Sequence, residues 1–251
     1  MNSQHQTLQQ RHAAEETFHD RKSASRHGNS FYEHGATLHA FQKFLDVAGD
    51  LKGLAVLDLG CGTGWASILY AQNGANVTAI DISEGSLRIA KEQASLQGLD
   101  IDFIKGAAED MNYHEAFDRV LGISVLHHTD LKTSAPSIHR ALKPGGKAIF
   151  MEPLAHNPIL NLYRKLTPGR RSRDETPLTI DSINTLSAMF SAVDISGYGL
   201  LSLLAFVFIP LKAYSAFRTV NRLLSSREEA ILHFAPSLVK YCWVAIIRLQ
   251  K

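Results

Sequence analysis

The chain lacks the residues that would announce a metal centre or a disulfide framework. Among 251 residues there are two cysteines, Cys61 and Cys242, at no metal-ligand spacing. A reducing, cytoplasmic setting is therefore the expectation, and the length is enough for one α/β domain to bury a large core without covalent staples. The opening residues, Met1 to His12, contain no apolar core of the kind a secretory signal carries. The apolar stretch Gly199 to Ala213 is broken by Pro210 and charged at Lys212, too short for the roughly 20 residues a spanning helix needs. No stripe of interleaved basic and aromatic residues is present and the net charge is only +2, so nucleic acid is not an expected partner. That small net charge hides an asymmetry: residues 1–155 sum to −4 and residues 156–251 to +6. The basic half could favour an anionic substrate or membrane surface, or simply be a solvated face.

What the chain does have is one dense stretch, Leu54 to Gly64, reading L-A-V-L-D-L-G-C-G-T-G. Leu54 to Leu59 is an apolar run broken only by Asp58, as expected of a buried parallel strand. Glycines follow at Gly60, Gly62 and Gly64, and Trp65 to Gln72 are mostly helix formers, so the stretch reads strand, tight turn, helix. Residues without a Cβ let a ligand come against the main chain, and the following helix turns its unpaired amides toward that ligand. The spacing is G-x-G-x-G, one residue shorter than the dinucleotide fingerprint. A second strand, Asn76 to Ile80, ends in Asp81, 21 residues after Gly60, where an acid can accept both hydroxyls of a ribose.

This combination resembles motif I and the following acid of class I S-adenosylmethionine-dependent methyltransferases, in particular their small-molecule group. Phe117 to Ile123 followed by Ser124-Val125-Leu126-His127-His128 is similar to that family's fourth strand and its substrate-facing end. Leu142-Lys143-Pro144-Gly145-Gly146 with Lys147 to Glu152 resembles its turn and fifth strand. The resemblance spans about residues 50 to 155 and implies a Rossmann-like, doubly wound α/β fold. The implied sheet has seven strands in the order 3-2-1-4-5-7-6, with strand 7 antiparallel. Residues 1–48 would be a tail and lid helices and 49–251 the methyltransferase domain, with a substrate-side loop at 154–177 and a helical insertion at 199–238 between strands 6 and 7.

Within that frame, Ala13 to His27 reads as a helix after a frayed start, and Leu38, Phe41 and Leu45 give the next helix its spacing. Further helices are expected at Ser83 to Gln97, Leu131 to Leu142, Pro158 to Leu166 and Asp181 to Phe190, and further strands at Ile101 to Lys105, Val193 to Tyr198 and Val239 to Leu249. Histidines 5, 12, 19, 27, 34 and 39 crowd the N-terminal region, but no pair with a partnering acid has the i, i+4 arrangement of a helix-borne zinc site, so solvated surface histidines and no metal are the expectation. Lys212, Arg218, Arg222 and Arg227 follow the apolar stretch, which suits peripheral contact of 199–227 with anionic lipid. The preferred reading is a helix pair that packs on the domain and roofs the substrate pocket.

The resemblance implies S-adenosyl-L-methionine as cofactor, with S-adenosyl-L-homocysteine as product. It places Gly60, Cys61, Gly62 and Gly64 along the methionine and ribose, Asp58 at the turn and the ammonium group, Asp81 on the ribose hydroxyls and Ile82 beside the adenine. Ala108, Glu109, Ser124 and, from the lid, Tyr32 complete the cofactor set. Many relatives carry an acid where Ala107 stands, so that role is either vacant here or taken by Glu109 or Asp110. His127 is the general-base candidate, because neutral imidazole accepts a proton near pH 7; the alternative is a histidine that lines the pocket. His128, Glu152, His156, Tyr163 and Arg164 are substrate candidates, and Arg164, Lys165, Arg170, Arg171 and Arg173 could receive a carboxylate or phosphate or be a solvated cluster. The expected activity is methyl transfer to a small-molecule acceptor, lipophilic or anionic. Two rivals stand beside it: a silent cofactor-binding module, motivated by Ala107, and a nicotinamide-dependent oxidoreductase, which the glycine spacing opposes.

Overall fold

The computed structural model describes residues 2–24, 38–167 and 175–251, with side chains over 8–21, 39–167 and 175–251. Helices α1 (Asn2–Ala24) and α2 (Leu38–Ala48) precede strand β1 (Ala55–Leu59). Then follow α3 (Trp65–Gln72), β2 (Asn76–Asp81), α4 (Glu84–Leu96), β3 (Asp102–Lys105), β4 (Phe117–Ile123), α5 (Leu131–Ala141) and β5 (Leu142–Pro153). The rest is α6 (Pro158–Leu166), α7 (Ile180–Ser187), β6 (Ala192–Tyr198), α8 (Tyr214–Phe234) and β7 (Val244–Gln250), with short 3-10 turns at Leu126–His128, Ser202–Phe208 and Pro236–Tyr241.

The seven strands form one sheet in the order β3-β2-β1-β4-β5-β7-β6, as the resemblance implied. β7 runs antiparallel to both β5 and β6, while the pairings of β1 with β2 and β4, of β2 with β3 and of β4 with β5 are parallel. Because successive side chains alternate between faces, the central strands feed two cores. Leu57, Leu59, Val120, Ala148, Phe150 and Ile247 face α5 and α7. Val56, Leu121, Ile149, Met151 and Ile246 face α2, α3 and α4. Full burial on both faces is why these strands read as continuous apolar runs.

Several boundaries differ from the sequence expectation. The strand expected from Val239 begins at Val244, because only from there does it have partners, Pro153 on one side and Tyr198 on the other; Pro236–Tyr241 is a 3-10 turn instead. The expected turn at Pro144-Gly145-Gly146 is an irregularity inside the long strand β5, whose pairing jumps from Phe117↔Leu142 to Arg119↔Lys147. α1 starts at Asn2 rather than Ala13; it carries so few large apolar residues that periodicity gave no signal there. The apolar stretch after β6 is a 3-10 turn and not a regular α-helix.

The insertion is fastened by Glu228. Its carboxylate, 1% exposed, accepts from the backbone N–H groups of Gly199, Leu200, Leu201 and Ser202 at 2.8–3.0 Å and from the Ser202 hydroxyl. On its other side α8 reaches α2 through Glu229, 2.9 Å from His39 and 3.6 Å from Lys43. Between them lies a cavity of about 20 Å³ lined by His39, Tyr198, Ser202 and Trp243, room for about one water. Among the described residues no helix is long and apolar enough to cross a membrane.

Candidate active site

The site gathers at the carboxyl ends of β1, β2, β4 and β5, where parallel sheets of this winding bind ligands. After β1 the chain turns sharply at Gly60, φ +70°, where a Cβ would stand 2.4 Å from Val125 Cγ2. Only glycine lets the turn after β1 nest against the turn after β4. Gly62, φ +54°, has no atom within 4 Å of where its Cβ would be, so its main chain is open to a ligand. Gly64 precedes α3, and a Cβ there would meet Ala90 Cβ at 2.7 Å. Cys61 is buried beneath the turn.

Asp81 closes this cradle. One carboxylate oxygen accepts from Gly62 N at 2.7 Å and the other from Ser83 N at 2.8 Å, leaving lone pairs on both for a diol. Burial raises its pKa above the ordinary value. Asp81 is not the cap of α4: Ser83 is, accepting from Ser86 N. Asp58 is 2% exposed and accepts from Ser67 Oγ at 2.5 Å, and burial pushes its carboxyl up to about 7. It braces α3 against β1, from below the turn. Ile82 is half-buried next to Asp81, and Ala108 is buried. An open glycine backbone beside an acid with free lone pairs fits the methionine and ribose portions of S-adenosylmethionine.

The turn after β4 is held from the neighbouring strand. Ser124 has a left-handed backbone, φ +55°, rare for a residue with a side chain, and its N–H donates to Met151 O at 2.8 Å. Glu152, at the end of β5 and fully buried, accepts from Val125 N and Leu126 N at 2.8 Å. Its second oxygen lies 2.7 Å from His127 Nδ1. A carboxylate accepts only, so Nδ1 carries a proton and neutral His127 must present its lone pair at Nε2. The sequence suggested substrate or a loop arginine as partner for Glu152; its described hydrogen bonds go to this turn instead. The signal was its position at the end of β5, which parallel pairing sets beside residues 124–127.

Glu109, a cofactor candidate from the sequence, is engaged by protein groups. It accepts from Asp130 N at 2.8 Å and lies 3.4 Å from His12 Nε2, with Asp110 3.8 Å from His12 Nδ1. Burial works to raise the Glu109 pKa, but the His12 side chain and the Asp130 amide outweigh it and hold the carboxyl below its usual range. The Glu109 carboxylate in turn raises His12.

α1 docks beside the cofactor positions. Asp20 accepts from Ser83 Oγ at 2.5 Å and Gly85 N at 3.0 Å at the start of α4, and Glu16 pairs with Lys105. Glu15 sits 3.4 Å from His19 Nε2 and 3.1 Å from His128 Nδ1. His12 and His19 therefore stand partly buried beside acids rather than solvated as expected, while His39 pairs with Glu229 at the surface. The acid four residues before His19 is Glu15, an i, i+4 partner one helical turn away that corrects the expectation of none. Burial lowers the His128 pKa, and its ring lies 4.1 Å from that of His127. Of the remaining substrate candidates, His156 is exposed, Tyr163 is partly exposed, and Arg164 donates to Leu154 O and Asn161. None of these three is brought against His127 by a described contact; instead Thr176 N donates to His127 O at 2.9 Å. Tyr32, Arg170, Arg171 and Arg173 lie outside the described residues.

The sheet order, the glycine turn and Asp81 are those expected of a class I S-adenosylmethionine-dependent methyltransferase domain. The family model for a methyltransferase domain matches residues 56–146. The ubiquinone biosynthesis O-methyltransferase of Pseudomonas aeruginosa (strain UCBPP-PA14) is 36% identical over 123 residues, covering 48% of this chain and 53% of the relative. A protein described in the same words from Idiomarina loihiensis is 40% identical over 103 residues, covering 40% of this chain and 42% of its own. The chain thus spans about half the length of the relatives it matches. Among solved structures, YcgJ from Bacillus subtilis superposes with TM-score 0.59 at 16% identity, over 85% of this chain and 98% of that one. Magnesium protoporphyrin IX methyltransferase from Synechocystis PCC 6803, with S-adenosylhomocysteine bound, gives 0.54 at 18% identity over 87% and 83%. At such identities these two likenesses speak for the fold.

Proposed function

We propose that this chain transfers the methyl group of S-adenosylmethionine to an oxygen of a small, apolar acceptor. The observation that carries the reading is the His127–Glu152 pair: an imidazole locked by a buried carboxylate, at the end of β4 and in van der Waals reach of the glycine turn through Val125. Bound cofactor supplies an electrophilic methyl on a positively charged sulfur. Asp81 and Gly62 hold the ribose side, while Asp58 keeps the turn in place from below. His127 Nε2 takes the proton from the acceptor hydroxyl as it attacks, and Glu152 stabilises the imidazolium that forms. Alignment and exclusion of water supply the rest of the acceleration.

The O-methyltransferase names of the relatives favour oxygen as the acceptor atom. An apolar acceptor, and peripheral contact with membrane, are supported by the exposed side chains Leu204, Val207 and Leu211 beside Lys212 on the insertion, and by Ile159, Leu162 and Leu166 on α6. The test is incubation of pure protein with methyl-labelled S-adenosylmethionine and cell extract, followed by partition into organic solvent. Label should enter the organic phase as an alkali-stable ether, and Asp81→Ala should abolish transfer by weakening cofactor binding about 10²- to 10⁴-fold, the equivalent of two lost hydrogen bonds to a charged group. Label confined to water-soluble products would discard the apolar acceptor. Cofactor binding without transfer to any extract component would leave a silent binding module.

A further inference from the structure

We propose that Glu15, His19 and His128 are the protein ligands of a zinc-class divalent cation that fastens α1 onto the end of β4. One ligand atom from each residue lies within 4.8 Å of the other two. The Glu15 Oε2 distances to His19 Nε2 and His128 Nδ1 are 3.4 and 3.1 Å. Ligand atoms about 2.0–2.1 Å from a tetrahedral ion stand roughly 3.3 Å apart, so two edges of the tetrahedron already have their length. The third edge needs the two rings, whose centroids are 5.2 Å apart and nearly perpendicular, to close by a side-chain adjustment.

The donor set selects the ion. Two imidazoles and one carboxylate, with the fourth position open, are the kind of set zinc takes in open sites, whereas magnesium and calcium favour oxygen throughout. Spacing adds a second argument: Glu15 and His19 stand i, i+4 on one helical face, the arrangement that lets one turn supply two ligands. Glu15 is 4% exposed although its helix is among the most polar in the protein. A helix with Leu8 and Phe18 as its large apolar residues over the described side chains has no apolar stripe to bury. Its described attachments are polar, Asp20 to α4, Glu16 to Lys105 and His12 to Glu109, and a shared ion is the same kind of fastening made stronger. A neighbouring group, His127, His128 and Glu175, also has ligand atoms within 4.8 Å. It is the weaker candidate because among the described residues Glu175 comes within 4.0 Å of neither histidine, so neither edge from its carboxylate has a tetrahedron's length, unlike those from Glu15.

An ion here would hold α1 closed beside Asp81 and Ser83, so cation and cofactor occupancy would be coupled; that coupling rests on the function proposed above, whereas cation binding does not. The test is titration of chelator-stripped, full-length protein with zinc chloride, and with cobalt(II) as a spectroscopic probe, in the absence of cofactor and acceptor. The expected result is one ion per chain, a four-coordinate cobalt spectrum, and zinc-dependent protection of the α1 amides from hydrogen exchange. His19→Ala and Glu15→Gln should each weaken zinc binding by at least about tenfold, the lower end of what even an outer-shell partner contributes, while His12→Ala and Glu175→Gln leave it unchanged. No stoichiometric uptake would overturn the proposal in favour of a plain hydrogen-bonded cluster. Loss of binding in Glu175→Gln but not in Glu15→Gln would overturn it in favour of the neighbouring group. Separate S-adenosylmethionine titrations of the same variants keep a failure of this site distinct from a failure of the methyltransferase reading.

Discussion

Glu152→Gln separates a base that is merely present from one that is aimed. The wild-type carboxylate serves Val125 N, Leu126 N and His127 Nδ1 with bonds of 2.7–2.8 Å. In the variant the amide oxygen can keep the two backbone donors, which leaves the amide NH₂ pointing at Nδ1. Nδ1 must then accept, the ring proton moves to Nε2, and the lone pair that should meet the acceptor hydroxyl is gone. A general base contributes about 10²- to 10⁴-fold, so kcat should fall by that much. The turn exchanges three charge-assisted hydrogen bonds for neutral ones, about 3 kcal/mol of stability, less than a domain of this size holds. Initial rates of label transfer to the acceptor, over a pH series, and a cofactor titration make the assay. The expected pattern is lost kcat, an altered pH profile and cofactor affinity near wild type. A kcat within about threefold of wild type would refute the reasoning, because the tautomer could then not matter.

Three further outcomes follow from the same contacts. Glu228→Gln should destabilise the protein by about 2–4 kcal/mol, since an amide NH₂ would face backbone donors that the buried carboxylate now satisfies, and denaturant unfolding would measure it. Asp58, held near 7 by burial, keeps its proton in the native state over a range where the unfolded chain has lost it. Its contribution to stability is therefore full below about pH 4 and lost as pH rises through about 7, and Asp58→Asn should flatten that decline, by up to roughly 4 kcal/mol, in chemical denaturation across the same range. His12 is raised by Glu109, so the stabilisation it gives α1 is full below its ordinary pKa near 6.5 and fades above the raised value; hydrogen exchange of α1 should quicken there in wild type and lose that pH dependence in His12→Ala.

The sheet was legible because its central strands are buried on both faces and glycine marks the turn that follows β1. Leu57 and Leu59 need no knowledge of their partners to read as a strand. The start of β7 was not legible, since Val239 to Tyr241 has the composition of a strand and only the ends of Pro153 and Tyr198 decide where pairing stops. In the site, Asp81 could be placed by its distance from Gly60, a local spacing. Glu152 could not be assigned its work, because its partners are 25 to 27 residues away and meet it only through the register of β4 on β5. The first half of α1, before Ala13, escaped for a different reason: a helix held by ion pairs and caps leaves no apolar period to find.

The two ends of the insertion meet. Trp243 N donates to Gly199 O at 3.0 Å, and Gly199, φ +80°, packs so closely that a Cβ would stand 2.9 Å from Trp243 Cβ. The roughly forty residues between them therefore leave and return through a single closed gate in the β6–β7 hairpin, and the cost of lengthening or shortening a closed loop grows only with the logarithm of its length. A chain built this way can exchange the whole insertion, and with it whatever surface it presents to acceptor or lipid, while the strands that carry the glycine turn and His127 keep their register. On the function proposed above, acceptor choice would be a replaceable part on a fixed chassis, and a chimera that carries a short turn between Gly199 and Trp243 should still fold and still bind cofactor.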